Sequence, residues 1–178
     1  MKTATWQKLG LGALALVGGV LLLGAKPARG HGTIVGDGIE PYTPTMDEWL
    51  LLARACKTEA ATLEGQTACA WALIQRFVVF RQEGRWARSF GALVRAFSVG
   101  LRNQGRAWSW AWLQDNEPEL LFMILSFSAG VPPENTVRGM TNWAACSSET
   151  TCRDVERAGN CFCANPPLQG SAGVVPAP

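Results

Sequence analysis

Two neighbouring runs decide how this chain folds: Leu52-Ala53-Arg54-Ala55-Cys56-Lys57-Thr58-Glu59-Ala60 and, just downstream, Glu64-Gly65-Gln66-Thr67-Ala68-Cys69-Ala70-Trp71-Ala72-Leu73-Ile74-Gln75-Arg76. Both carry apolar residues at helical spacing. Before the first, Thr45-Met46-Asp47-Glu48 has the pattern of a capping box: Thr45 accepts from the backbone N–H three residues on, and Glu48 reaches back. The helix that follows places Trp49, Leu52, Ala53 and Cys56 on one side and ends near Thr58–Ala60. Thr62 then caps a second helix, roughly residues 63–80, with Ala70, Leu73, Ile74, Phe77 and Val78 among its apolar positions. That set is too wide for a surface stripe, so this helix is expected to be well buried.

Working outward, Ser89 caps a third helix reaching Phe97, with Phe90, Leu93 and Val94 apolar. Pro118 fits the first turn of a fourth helix over residues 119–129, where proline costs least, and Gly130, Pro132 and Pro133 stop it. Residues 135–165 read as loops and short strands. Trp108, Trp110 and Trp112 alternate as strand residues sharing one face do. The Gly- and Pro-bearing stretch 31–45 reads as a linker. Residues 166–178, without charge or aromatic ring, read as a disordered tail. The expected domain, 46–165, is therefore mainly α, of the α+β kind: a helical bundle with a few short strands.

The chain has 178 residues, 48% hydrophobic and 17% charged. Its net charge of +2 is too small to argue for a nucleic-acid surface. Lys2 and Lys8 precede an uncharged stretch from Leu9 to Ala25, followed by Lys26-Pro27-Ala28-Arg29-Gly30. Residues 1–30 are thus either a secretory signal cut before His31 or a membrane anchor through residues 9–25. Gly10, Gly12, Gly18, Gly19 and Gly24 soften the apolar run, which resembles the signal-arrest-release leaders of some phage endolysins. Either reading puts the folded domain outside the cytoplasm, periplasmic, extracellular or tethered to the cytoplasmic membrane. Six cysteines behind an export leader suggest disulfides. Cys161 and Cys163 point to opposite faces if their segment is a strand, and then cannot pair with each other. Cys146 and Cys152 suit a short staple in a Ser/Thr-rich loop. Cys56 and Cys69 fall on apolar helical faces, which suit buried free thiols. The spacing of the last four cysteines is not that of a zinc module, so no metal is expected.

The two opening runs resemble the cell-wall hydrolase family that includes spore-cortex-lytic enzymes. That family shows a Glu-Ala pair ending one helix, a Glu-Gly-Gln turn, and an Ala-rich helix closing on Asn-Arg. Here the pair is Glu59-Ala60 and the arginine is Arg76. Downstream, in order, Ser89-Phe90 with Ala96-Phe97-Ser98 and Asn103, then Gly139-Met140-Thr141-Asn142-Trp143, then Gly159-Asn160-Cys161-Phe162-Cys163 are similar to later family segments, so the likeness spans Trp49 to Ala164. Gln75 departs from the family's Asn, Val99-Gly100 from its Gln-Pro, and Asn142 from its His.

The resemblance implies a lysozyme-like domain that cleaves peptidoglycan between N-acetylmuramic acid and N-acetylglucosamine, as a muramidase or lytic transglycosylase. It is expected to act as a monomer with no cofactor, its partner being the glycan strand. Glu59 is the expected acid: the leaving sugar oxygen must receive a proton as the bond breaks, and a carboxyl held against apolar walls retains one. A transglycosylase needs no second carboxylate, because the muramic acid C6 hydroxyl closes the ring. A hydrolase does, and Glu64, Asp115 and Glu117 are the candidates. Glu64 also suits the first turn of a helix, where an acid favours the dipole. Thr141 and Asn142 are read either as N-acetyl contacts or as turn residues, Trp108 as a sugar platform or as packing, and Arg76 as the partner of a buried carboxylate or carbonyl in preference to a substrate contact. His31, the only histidine, lies outside the domain and excludes a His-based triad within it. The competing reading is a non-catalytic exported structural or glycan-binding protein on the same fold.

Overall fold

The computed structural model describes residues 32–86, 88–98, 100–101, 108–145 and 153–177. The leader, His31, Val99, Asn103, Cys146 and Cys152 lie outside the described residues, and the expectations placed on them stay as the sequence left them. The chain divides into two units, Met1–Gly30 and His31–Pro178, and every described residue belongs to the second.

Among the described residues that unit is α+β, with five helices and five short strands. In chain order they are β1 (Gly32–Gly36), α1 (Met46–Glu59), α2 (Leu63–Gln82), α3 (Phe90–Phe97), α4 (Trp110–Asn116), α5 (Pro118–Ser128), β2 (Asn142–Ala145), β3 (Val155–Arg157), β4 (Asn160–Cys163) and β5 (Ala172–Pro176). The capping box is present in both directions: Thr45 Oγ1 accepts from Glu48 N–H at 3.3 Å, and Glu48 Oε2 accepts from Thr45 N–H at 2.9 Å. The other Glu48 oxygen accepts from Gly91 N–H at 2.7 Å and from the Tyr42 hydroxyl at 3.0 Å, tying the start of α3 to the start of α1. Thr62 and Ser89 cap α2 and α3 as their spacing predicts.

Helix α2 is the axis of the domain. Every residue from Ala68 to Phe80 is buried, so it is surrounded on all sides, as its wide apolar face requires. Rings join the elements around it. Trp49 of α1 packs against Phe90 of α3 and Phe127 of α5, with centroids 6.0 and 6.2 Å apart, and Trp71 of α2 meets Phe127 edge-on at 5.1 Å. No helix among the described residues is long and apolar enough to cross a membrane.

Three expectations are corrected. The stretch 31–45 is not a linker: residues 32–36 form β1, and Ile34, fully buried, bridges to Tyr42. Residues 166–178 are not a disordered tail, since β5 pairs antiparallel with β1 from Gly32↔Pro176 to Gly36↔Ala172. Uncharged, Gly-rich segments lack a strong strand signature, and here the partner strand lies at the far end of the chain. The domain therefore runs beyond 46–165 at both ends. The alternating tryptophans do not form a strand either. Ser109 Oγ accepts from Trp112 N–H at 3.1 Å and starts α4, so Trp108 folds back onto Trp112, their rings stacked at 4.9 Å and 10°. A serine able to cap outweighed a three-residue alternation.

The second sheet, in the order β2-β4-β3, is antiparallel throughout. It supplies two of the groups around Glu59.

Candidate active site

Helix α1 ends at Glu59 because Ala60 turns into extended backbone, φ −146° and ψ 141°. The freed carbonyls find side-chain donors: Gln66 Nε2 donates to Ala60 O at 3.1 Å, and Asn160 Nδ2, from β4, donates to Glu59 O at 3.3 Å. The Glu59 side chain is half-buried. Its Oε1 accepts from the Ser98 hydroxyl at 2.8 Å and from Gly100 N–H at 3.2 Å. The indole N–H of Trp143, on β2, approaches Oε2 at 3.5 Å. One carboxyl oxygen is thus fixed by two donors, and the other carries a single long contact.

Ser98 is fully buried and in turn accepts from Leu101 N–H at 3.2 Å, which directs its own hydrogen toward Glu59. At position 100 a Cβ would come within 2.6 Å of the Thr58 side chain, so only glycine fits against the end of α1. A proline at this position would have no N–H to give to Glu59.

Gln75 gains a role as well. Almost fully buried, it donates to Val137 O at 3.0 Å and Met140 O at 2.8 Å, while its Oε1 accepts from Gly139 N–H at 2.6 Å. It fixes the loop that leads into β2 and hence places Trp143. Replacing Gln75 with Ala leaves buried loop carbonyls without donors and should cost about 3 kcal/mol, on the order of 8 °C in melting temperature. An unchanged thermal melt would contradict this role.

Arg76 is corrected. It makes no ion pair or hydrogen bond with any described residue; its guanidinium lies over the rings of Phe97 at 4.5 Å and Trp143 at 5.7 Å. Burial pushes its pKa down to about 10, so it stays a cation at neutral pH. Thr141 is fully buried and donates its hydroxyl to Pro166 O. Asn142 opens β2, half-buried and opposite Cys163. Trp108 is half-buried, gives one face to Trp112, and is held by Arg54 Nε donating to its carbonyl at 2.6 Å.

The second-acid candidates have partners or settings of their own. Glu117 is paired with Lys57 at 2.6 Å, Glu64 sits exposed in the first turn of α2 with Arg157 at 3.9 Å, and Asp115 is exposed on α4. A cavity of about 540 Å³ bounded by Trp71, Gln75, Asn135, Arg138 and Leu168 contains none of them. The residues that sequence reasoning missed as site members are Ser98, Gly100, Trp143 and Asn160. All four stood in or beside the resembled segments, but their roles depend on contacts across 39 to 101 residues.

Cys56 and Cys69 are buried free thiols. Burial first, then the charge of Glu59, pushes Cys69 up to about 12, and burial raises Cys56 well above its usual value. Neither forms a thiolate near neutral pH. Iodoacetamide at pH 8 should therefore label neither in the native protein and both after denaturation, read by peptide mapping. Labelling of native Cys69 would overturn this.

Compared with family models, with curated proteins and with solved structures, the chain matches none.

Proposed function

We propose that this chain is an exported, lysozyme-like enzyme that cleaves peptidoglycan between N-acetylmuramic acid and N-acetylglucosamine, with Glu59 as its acid. The observation that carries the proposal is the asymmetric setting of the Glu59 carboxyl. Two donors, Ser98 and Gly100, occupy Oε1, which leaves Oε2 as the oxygen to pass a proton to substrate. That proton is delivered to the glycosidic oxygen as the bond to muramic acid C1 breaks. The two donors then hold the carboxylate formed, at a helix C-terminus where a negative charge otherwise has no support.

A single acid suits ring closure. The muramic acid C6 hydroxyl attacks C1, its proton returns to Glu59, and a 1,6-anhydro end forms. No candidate second carboxylate shares a hydrogen-bond partner with Glu59 among the described residues. The leader at residues 1–30 supports export. The partner is the glycan strand, met without a cofactor, with the membrane as a further contact if residues 9–25 are retained.

The test is digestion of purified peptidoglycan with mass spectrometry of the soluble products. Muropeptides with 1,6-anhydromuramic acid ends are expected. Reducing ends would mean a hydrolase and a second carboxylate. No release by a folded protein from several wall types would replace the enzyme with the glycan-binding or structural reading.

A further inference from the structure

Arg76 has no part in the proton transfer, yet its placement is unusual. It is only 6% exposed, and its Nε is sealed from solvent with no hydrogen-bond partner. No described residue accepts from its terminal nitrogens, and no described acid lies within ion-pair distance. A guanidinium buried without acceptors is costly. The faces of Phe97 and Trp143 offset part of that cost, but they leave the buried Nε–H without an acceptor. The Trp143 ring below Arg76 is the one whose indole N–H reaches Glu59. Among the described residues, then, nothing answers the Arg76 Nε–H, one indole away from Glu59.

We propose that Arg76 binds a carboxylate of the glycan, namely the lactyl carboxylate of a muramic acid residue freed of its peptide. This rests on the glycan-cleaving reading. Muramic acid differs from glucosamine by its lactyl ether, whose carboxyl is an amide when the peptide is attached and a free anion when the peptide is gone. A guanidinium can bind such a group through two parallel N–H donors, a two-pronged geometry that a lysine cannot reproduce. Stripped strands would then be held better than peptide-bearing ones, so this enzyme would act after the class of reaction that removes the peptide.

The test uses the full chain carrying Glu59→Gln, titrated by NMR with N-acetylmuramic acid, N-acetylglucosamine and N-acetylmuramyl-L-alanine. N-acetylmuramic acid should bind about ten-fold tighter than N-acetylglucosamine, the worth of a charge-assisted pair. Arg76→Lys should erase that difference. N-acetylmuramyl-L-alanine, with its carboxylate one residue further out, should behave like N-acetylglucosamine; equal binding with N-acetylmuramic acid would assign the site to a peptide carboxylate and overturn the lactyl proposal. Equal binding of the two simple sugars, or no binding of either, would also overturn it, and that comparison does not require an Arg76 variant to fold. Peptidoglycan cleavage without carboxylate selectivity would remove only the Arg76 proposal. Selectivity without cleavage would remove only the role of Glu59.

Discussion

Glu59→Gln should abolish release of muropeptides while leaving the fold intact. General acid catalysis contributes a factor of about 100 to 10,000, and an amide cannot supply the proton, so a loss within that range is expected. The substitution is close to isosteric. The amide oxygen still accepts from Ser98 and Gly100, and the backbone carbonyl still receives Asn160. The variant should therefore melt within a few degrees of the wild type, which makes loss of activity a statement about chemistry. If Glu59→Gln cleaves at the wild-type rate, the acid is elsewhere. If it fails to fold, the carboxylate is instead the structural tie between α1 and the Ser98–Gly100 turn. Ser98→Ala separates these cases: it removes a donor to Oε1 without touching the acid, so activity should fall by a smaller factor than in Glu59→Gln.

What the sequence could say about this site follows from the range of the forces involved. Caps act over three residues, so Thr45, Thr62 and Ser89 were legible, and with them three helix starts. The wide apolar face of α2 announced a central helix. Glu59 itself stood out at the end of α1. The groups that define its chemistry could not, because Ser98, Trp143 and Asn160 come from separate elements brought together only by the tertiary fold. Arg76 was misjudged for a related reason: a buried arginine is ordinarily answered by an acceptor, and nothing local shows that two rings stand there instead. Gln75 fixes the loop before β2 and Gly100 donates to the Glu59 carboxyl, roles that no short-range pattern announces.

Deleting residues 171–178 should destabilise the domain strongly while sparing the site. The deletion removes β5 and with it the whole ladder to β1. It uncovers Ile34, which is fully buried, and discards Val174, which is 6% exposed. It also breaks the bonds from the Ser171 N–H and hydroxyl to Asp37, both at 3.0 Å. Two buried aliphatic side chains and several ladder hydrogen bonds amount to about 4 kcal/mol or more, on the order of 10 °C in melting temperature. Gly130 shows how closely the strand is seated: it adopts φ 78°, and a Cβ there would fall 2.2 Å from Pro176 N. Removing only Ala177 and Pro178, beyond β5, should leave the melt unchanged, whereas Val174→Asp in the full chain should repeat most of the loss. Glu59, Ser98 and Trp143 are positioned by α1, the turn after α3 and the separate β2-β4-β3 sheet, so the truncated protein should still cleave well below its melting point. A terminal segment without charge or ring, which composition alone marks as dispensable, then accounts for fold stability and not for catalysis. An unchanged melt after the deletion would mean that β1 and β5 do not pair in solution.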